Sequence, residues 1–225
     1  MNVTDAMHFV RGPLFSVALL FFIFGMLYRL ISALALGWNR DRIPSKHSKI
    51  SGGIVAFLRG IIIFPFWPRI KESASRNPVT YLAGGIFHLG LFVVIFFGAA
   101  HMLTWDSILG IRWPTLPLPI VDFFAAITII ALIVLFLNRM YSPVLRLITR
   151  VPDYVNLIIV LLPFLTGFFM THRLFLPYEQ IYTLHVLTVD ILLFWIPLSR
   201  ISHFVFYFIT KPRHGARFAQ RGANP

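Results

Sequence analysis

His185 and His203 stand eighteen residues apart in a segment that is otherwise almost wholly apolar, LHVLTVDILLFWIPLSRISH. An imidazole in lipid is costly without a partner, so such a residue is either interhelical hydrogen-bond glue or part of a functional site. At 3.6 residues per turn, eighteen residues make five whole turns, which puts both rings on one helix face about 27 Å apart. That spacing would hold two planar metal cofactors, one per leaflet. A bis-imidazole haem then needs a second histidine at matching depth on a neighbouring helix. His88 matches His203 in depth and is expected to be the partner at the inner site. His101 matches His185, but the thirteen residues from His88 turn an ideal helix by about 220°. His101 therefore faces away from His88 unless the helix kinks, and Gly98 in FFGAAHM offers a weak point. His172 is the competing partner for His185, and an outer site with no cofactor is the third possibility. His8, His47 and His214 read as solvated.

These histidines must be positioned by membrane spans. Of the 225 residues, 58% are hydrophobic and 12% charged, against about a quarter charged in soluble domains. A span needs about 20 apolar residues. Five segments qualify, at about 10–29, 81–104, 119–138, 154–172 and 182–209, and together they predict an all-α five-helix membrane bundle in one domain, 1–210. A basic tail, 211–225, follows. The stretch GGIVAFLRGIIIFPFWP, 52–68, is short for a span, carries Arg59, and is broken by Pro65 and Pro68, so it predicts an interfacial or re-entrant helix. SALALG, 32–37, superficially resembles a signal-peptidase site, but the apolar run before it is too long, so the first span is expected to be retained.

Lysines and arginines set the expected orientation. Fifteen lie in the 30–80 loop, the 139–153 loop and the tail, against Arg11, Arg112 and Arg173 on the other side. The amino terminus is therefore expected outside and the carboxyl terminus in the cytoplasm, in the inner membrane of a prokaryote. The net charge of +12 reflects this topology rather than a nucleic-acid partner. No cysteine is present, which excludes disulfides, thiol catalysis and thiolate-held iron–sulfur clusters within the chain.

Four further charged groups lie near the histidines. Arg200 precedes His203 by three residues and reads either as a haem-propionate partner or as a snorkelling interface arginine. Asp190, about two turns inside span five, is expected to be protonated or paired; it reads as a structural hydrogen-bonding group or as a proton relay to a quinone. Asp122 and Arg112 flank the start of span three on the outer side, as surface charges or as the lining of that quinone pocket.

YLAGGIFHLG, LPIVDF, LNRMYSP, PLSRISH and FGMLYR, in their order along the five spans, resemble the membrane cytochrome b, or gamma, subunit of respiratory nitrate reductase. Related quinone-interacting anchors serve heterodisulfide-reductase-like complexes. The resemblance implies a five-helix quinol-oxidising anchor that holds two b-type haems between spans two and five and passes electrons to a cytoplasmic iron–sulfur subunit of a complex with a separate catalytic subunit. By resemblance, His88 and His203 are the inner haem ligands and His185 is one outer ligand. The second outer ligand of the family falls on Gly98 here, with His101 one turn on. The family's basic residue near the quinone falls on Phe123.

The expected function is electron transfer between membrane quinol and a cytoplasmic partner. Two other classes remain open: a transporter relaying protons through histidine and Asp190, and a cofactor-free anchor whose histidines tie helices together. No inverted repeat supports the transporter.

Overall fold

A computed structural model describes residues 2–35, 45–60 and 72–223. Among these every regular element is helical. Five helical stretches are long and apolar enough to cross a membrane: Val3–Ala35, Pro78–Phe97, Leu118–Tyr141, Val151–Thr171 and Tyr178–Leu198. By length and composition the chain is an all-α, multi-pass membrane protein.

In chain order the helices are α1 (Val3–Phe9), joined by a π-helical turn at Val10–Leu14 to α2 (Phe15–Ala35), α3 (Lys49–Leu58), α4 (Glu72–Arg76), α5 (Pro78–Phe97), α6 (Ala99–Leu109), α7 (Leu118–Tyr141), α8 (Pro143–Ile148), α9 (Val151–Thr171), α10 (Tyr178–Leu198) and α11 (His203–Gln220). Contacts divide the chain into two compact units: residues 1–18 with 73–192, and residues 19–72 with 193–225.

In the first unit, local chemistry sets the helix starts. The Asn77 side chain accepts the Thr80 N–H at 3.1 Å and Pro78 opens α5, a position where its missing N–H costs nothing. Ser142 ends α7 in extended backbone and caps α8. Asp153 accepts the Arg150 N–H at 2.9 Å at the start of α9. Helices α5 and α7 meet through small groups, since a Cβ on Gly90 would collide with the Thr128 hydroxyl. Thr128 is fully buried and satisfies its own hydroxyl on the Phe124 carbonyl at 2.7 Å. Asn138 Nδ2 donates to Thr80 Oγ1 at 3.0 Å across the same pair. Small residues and interhelical hydrogen bonds are what bring helices together in lipid, where hydrophobicity supplies no net pull.

The expected continuous helix through 81–104 is interrupted. Gly98 takes extended backbone (φ −71°, ψ 128°), ending α5 and opening α6. A helix end leaves its last four carbonyls without their usual partners, and lipid supplies none. Here each one finds a donor. Val94 accepts from the Gly98 N–H (3.2 Å) and the His101 ring (2.9 Å). Ile95 accepts from the Trp105 indole at 3.1 Å. Phe96 accepts from the Trp113 indole, and Phe97 from the Leu116 N–H at 2.9 Å.

In the second unit the expected single helix over 182–209 is likewise broken. Pro197 lies in the last turn of α10, Ser199 is extended (φ −122°, ψ 178°), and a 3-10 turn at Arg200–Ser202 leads into α11. Proline lacks the N–H the helix needs and crowds the preceding turn. Arg29 of α2 meets the exposed carbonyls, with Nη1 donating to Pro197 O at 2.9 Å and Ser199 O at 2.8 Å, and its guanidinium lies 5.4 Å from the centre of the Phe206 ring. Gly25, one turn before Arg29, lets α2 approach Pro197, where an added Cβ would sit 2.7 Å from the proline Cβ. The sequence places Arg29 only at an interface; the structure gives it this capping task.

Helix α3 packs on α11 through Gly52, Gly53 and Ala56 against Pro212, Gly215 and Ala219. Of the expected interfacial or re-entrant segment, only 52–60 is described, and 61–68 lies outside the described residues.

Two stability predictions follow from these breaks. Trp113→Phe removes the donor to the Phe96 carbonyl while keeping an aromatic ring, and is expected to cost about 1–3 kcal/mol. Arg29→Met strips two carbonyls of a charged donor and is expected to cost at least as much, about 2–4 kcal/mol. Thermal or chemical unfolding of the purified protein in detergent checks both, and wild-type stability in either variant would contradict the role assigned to that side chain.

Candidate functional site

The break at Gly98 sets the direction of His101. The residue lies in the first turn of α6, and its Nδ1 rests on the Val94 carbonyl seven residues back in α5. A carbonyl only accepts, so His101 Nδ1 carries a proton. The turn leaves no room for a side chain at 98. A Cβ there would meet Val94 O at 2.6 Å and His101 Nδ1 at 3.2 Å.

His185 lies on α10 opposite α9. Its Nδ1 is 3.2 Å from Thr166 Oγ1. The Thr166 hydroxyl donates to the Leu162 carbonyl at 2.8 Å, and Thr188, also 3.2 Å from Thr166, donates to the His185 carbonyl at 2.8 Å. With its one proton committed, Thr166 acts as acceptor, which assigns a proton to His185 Nδ1. Gly167 makes space for this ring, since a Cβ there would stand 3.0 Å from His185 Cε1.

The two rings come together with centroids 6.2 Å apart and planes inclined by 51°. They form a half-buried pair of imidazoles, with Nδ1 of His101 on the Val94 carbonyl and Nδ1 of His185 beside the Thr166 hydroxyl. Second-shell bonds of this kind fix tautomer and orientation in metal-ligating histidines. Among the described residues no group of three or more His, Asp or Glu side chains could cage a metal ion. Two nitrogens suffice only where a cofactor brings the remaining donors.

The structure places the other predicted residues as follows. His172 ends α9, packs on Phe168 with centroids 4.4 Å apart, and puts Nε2 3.6 Å from Asp122 Oδ2. It is thus engaged with Asp122, while His185 meets His101. Arg112 is paired with Asp106, with Nε and Nη2 at 2.8 and 2.7 Å from one carboxylate oxygen. This hydrogen bond keeps the Asp106 carboxyl below the usual carboxylate range. Asp190 is 1% exposed, and neither carboxyl oxygen has a hydrogen-bond partner among the described residues. His88 is exposed on α5, with Nδ1 2.7 Å from Gly84 O. His203 is exposed at the start of α11, with Nδ1 3.0 Å from Arg200 O, and Arg200 opens the 3-10 turn before it. His88 belongs to the first unit and His203 to the second. Because of the turn after Pro197, His185 and His203 do not share one unbroken helix face, and the five-turn arithmetic does not describe this segment.

Sequence reasoning overlooked Thr166, Thr188 and Gly167. The available signal was three small or polar residues inside otherwise apolar spans four and five, at the depth of His185. The tryptophan donors gave no comparable signal.

No protein-family model matches the chain, and no solved structure matches it. A curated protein of Nitratidesulfovibrio vulgaris (strain Hildenborough), described as "Protein", is 29% identical over 216 residues, covering 94% of this chain and 92% of its own length. The similarity therefore runs through all five apolar helices.

The tautomers are directly measurable. In haem-free protein, 15N-histidine NMR is expected to show His101 and His185 as Nδ1–H tautomers. Thr166→Val removes the acceptor and should shift His185 toward a mixture while leaving His101 unchanged. An Nε2–H tautomer for either ring in wild type would contradict the assignment.

Proposed function

We propose that the chain is a membrane cytochrome b-type subunit that transfers electrons between a membrane quinol or quinone and an iron–sulfur partner of a respiratory oxidoreductase. The observation that carries the reading is the His101–His185 pair. An imidazole nitrogen binds a metal at about 2 Å, and adding about 1 Å from each nitrogen to its ring centre puts two axial ligands about 6 Å apart, centre to centre. The 6.2 Å separation suits that arrangement, as does a pair with no third His, Asp or Glu donor grouped with it among the described residues. A haem supplies the other four nitrogens and a one-electron couple set by its axial ligands and surroundings.

The chain's own residues have separate tasks in this reading. His101 and His185 would hold the iron of the outer haem. The Val94 carbonyl and Thr166 keep their rings oriented and their Nδ1 protons in place, which strengthens the nitrogens as ligands. Gly98 and Gly167 leave the rings room to adopt those positions. The resemblance to nitrate reductase gamma subunits supports the reading, with His101 taking the role that the family gives to the position occupied here by Gly98. The sequence expectation of an inner haem on His88 and His203 belongs to the same proposal, as do the amino-terminus-out orientation and docking of a partner on the basic cytoplasmic face.

The test is haem stoichiometry in protein purified from haem-sufficient cells. Wild type is expected to carry a reducible b-type haem. His101→Ala and His185→Ala should each remove the same haem, and His172→Ala should keep it. Colourless wild-type protein would end the proposal, and loss of the haem in His172→Ala but not in His101→Ala would reassign the ligand.

A further inference from the structure

We infer that the second half of α11 binds the phosphate of an anionic membrane lipid, in a cleft lined by His214, Arg217, Phe218 and Arg221; the inference is independent of the electron-transfer reading. The cleft has a volume of about 150 Å³. A single water needs about 10–15 Å³, so a phosphate group fits with waters around it. The lining residues lie at i, i+3, i+4 and i+7 of one helix, which sets them on a single face. All four are exposed.

The chemistry is that of an anion site. Arg217 and Arg221 each carry a planar fork of N–H donors that matches two phosphate oxygens, and the His214 imidazole adds an N–H. Lys46 brings a further cation to the same end of the helix. Its backbone N–H donates to Gln220 O at 3.1 Å, and its Cδ would stand 2.8 Å from a Cβ on Gly222. Residues 45–60 and 203–223 contain no aspartate or glutamate. The packed pair α3 and α11 therefore supplies no carboxylate to neutralise the cleft. The negative end of the helix dipole, about half an elementary charge, offsets only part of the two guanidinium charges.

The placement of α11 makes the anion a lipid's. Helix α10, apolar and long enough to cross a membrane, ends at Leu198, and α11 begins five residues later. Phe204 stacks on Phe22 of α2, part of another such helix, with ring centroids 6.4 Å apart and planes inclined by 9°. The start of α11 thus lies where these apolar helices end. From there its sequence changes from FVFYFI, 204–209, to KPRHGARFAQR, 211–221. Phe208 is 59% exposed and Phe218 51%. They stand ten residues apart, about 15 Å along the axis. One lipid can lay its chains over the first and its phosphate beside the second. Cations clustered just beyond a span, on a helix with exposed aromatic rings, are the chemistry that recognises anionic headgroups.

The experiment titrates dioleoylphosphatidylglycerol into the purified full chain in detergent, read by native mass spectrometry, with dioleoylphosphatidylcholine in parallel. The first phosphatidylglycerol should bind wild type about tenfold more tightly than phosphatidylcholine. Arg217→Gln and Arg221→Gln should each weaken phosphatidylglycerol about fivefold and leave phosphatidylcholine unchanged. Arg146→Gln removes the same charge from an exposed position on α8 and should keep wild-type binding. Both cleft substitutions are at exposed positions, so the fold is expected to survive them. Equal affinity for the two lipids in wild type, or phosphatidylglycerol binding unchanged in both cleft variants, overturns the inference and leaves these cations to an acidic protein partner. Displacement of the lipid by millimolar inorganic phosphate also overturns it, since the cleft would then take a soluble anion.

Discussion

A transmembrane backbone must satisfy its own carbonyls, and the structure of the first unit depends on how this is done at Gly98. Ending α5 there leaves the carbonyls of Ile95, Phe96 and Phe97 without helical partners; two indoles and the Leu116 N–H answer them, and the His101 imidazole joins the Gly98 N–H on the Val94 carbonyl. That bond to Val94 also fixes the direction of the His101 ring. An unbroken helix would turn His101 about 220° from His88.

The second unit repeats the device with different chemistry. Pro197 and the extended Ser199 release carbonyls at the end of α10, and Arg29 collects two of them with one guanidinium nitrogen while lying over Phe206. In both units a break in a span is sealed by a side chain that the sequence presents only as an interfacial or intramembrane polar residue. Polar groups at such depth are costly when unpaired. Asp190, buried with both carboxyl oxygens unpartnered among the described residues, stands apart from this pattern.

The helical class and the five apolar elements were legible because they follow from composition and run length. The boundaries drifted where local capping governed them. Asn77 and Pro78 began α5 earlier than hydropathy implied, and Pro197 with Ser199 divided the last expected span. Gly98 was recognisable as a weak point, since glycine tolerates a tight approach to Val94 and His101 that any Cβ would block. The choice between His101 and His172 as neighbour of His185 was not readable, because a kink's direction depends on which donors meet the freed carbonyls. Trp105, Trp113 and Leu116 lie ten to nineteen residues beyond those carbonyls, outside any local pattern. The Asp106 partner of Arg112, six residues back in α6, was not singled out in the sequence.

In the proposed function His101 and His185 together would hold one iron. Low-temperature electron paramagnetic resonance of the oxidised, purified protein tests it most directly, because the spin state reports the number and kind of axial ligands. The expected result is a six-coordinate, low-spin, bis-imidazole ferric signal with one component that is lost in His101→Ala and persists in His172→Ala. A low-spin signal unchanged in His101→Ala, or a ferric haem with a single imidazole ligand in wild type, would contradict it.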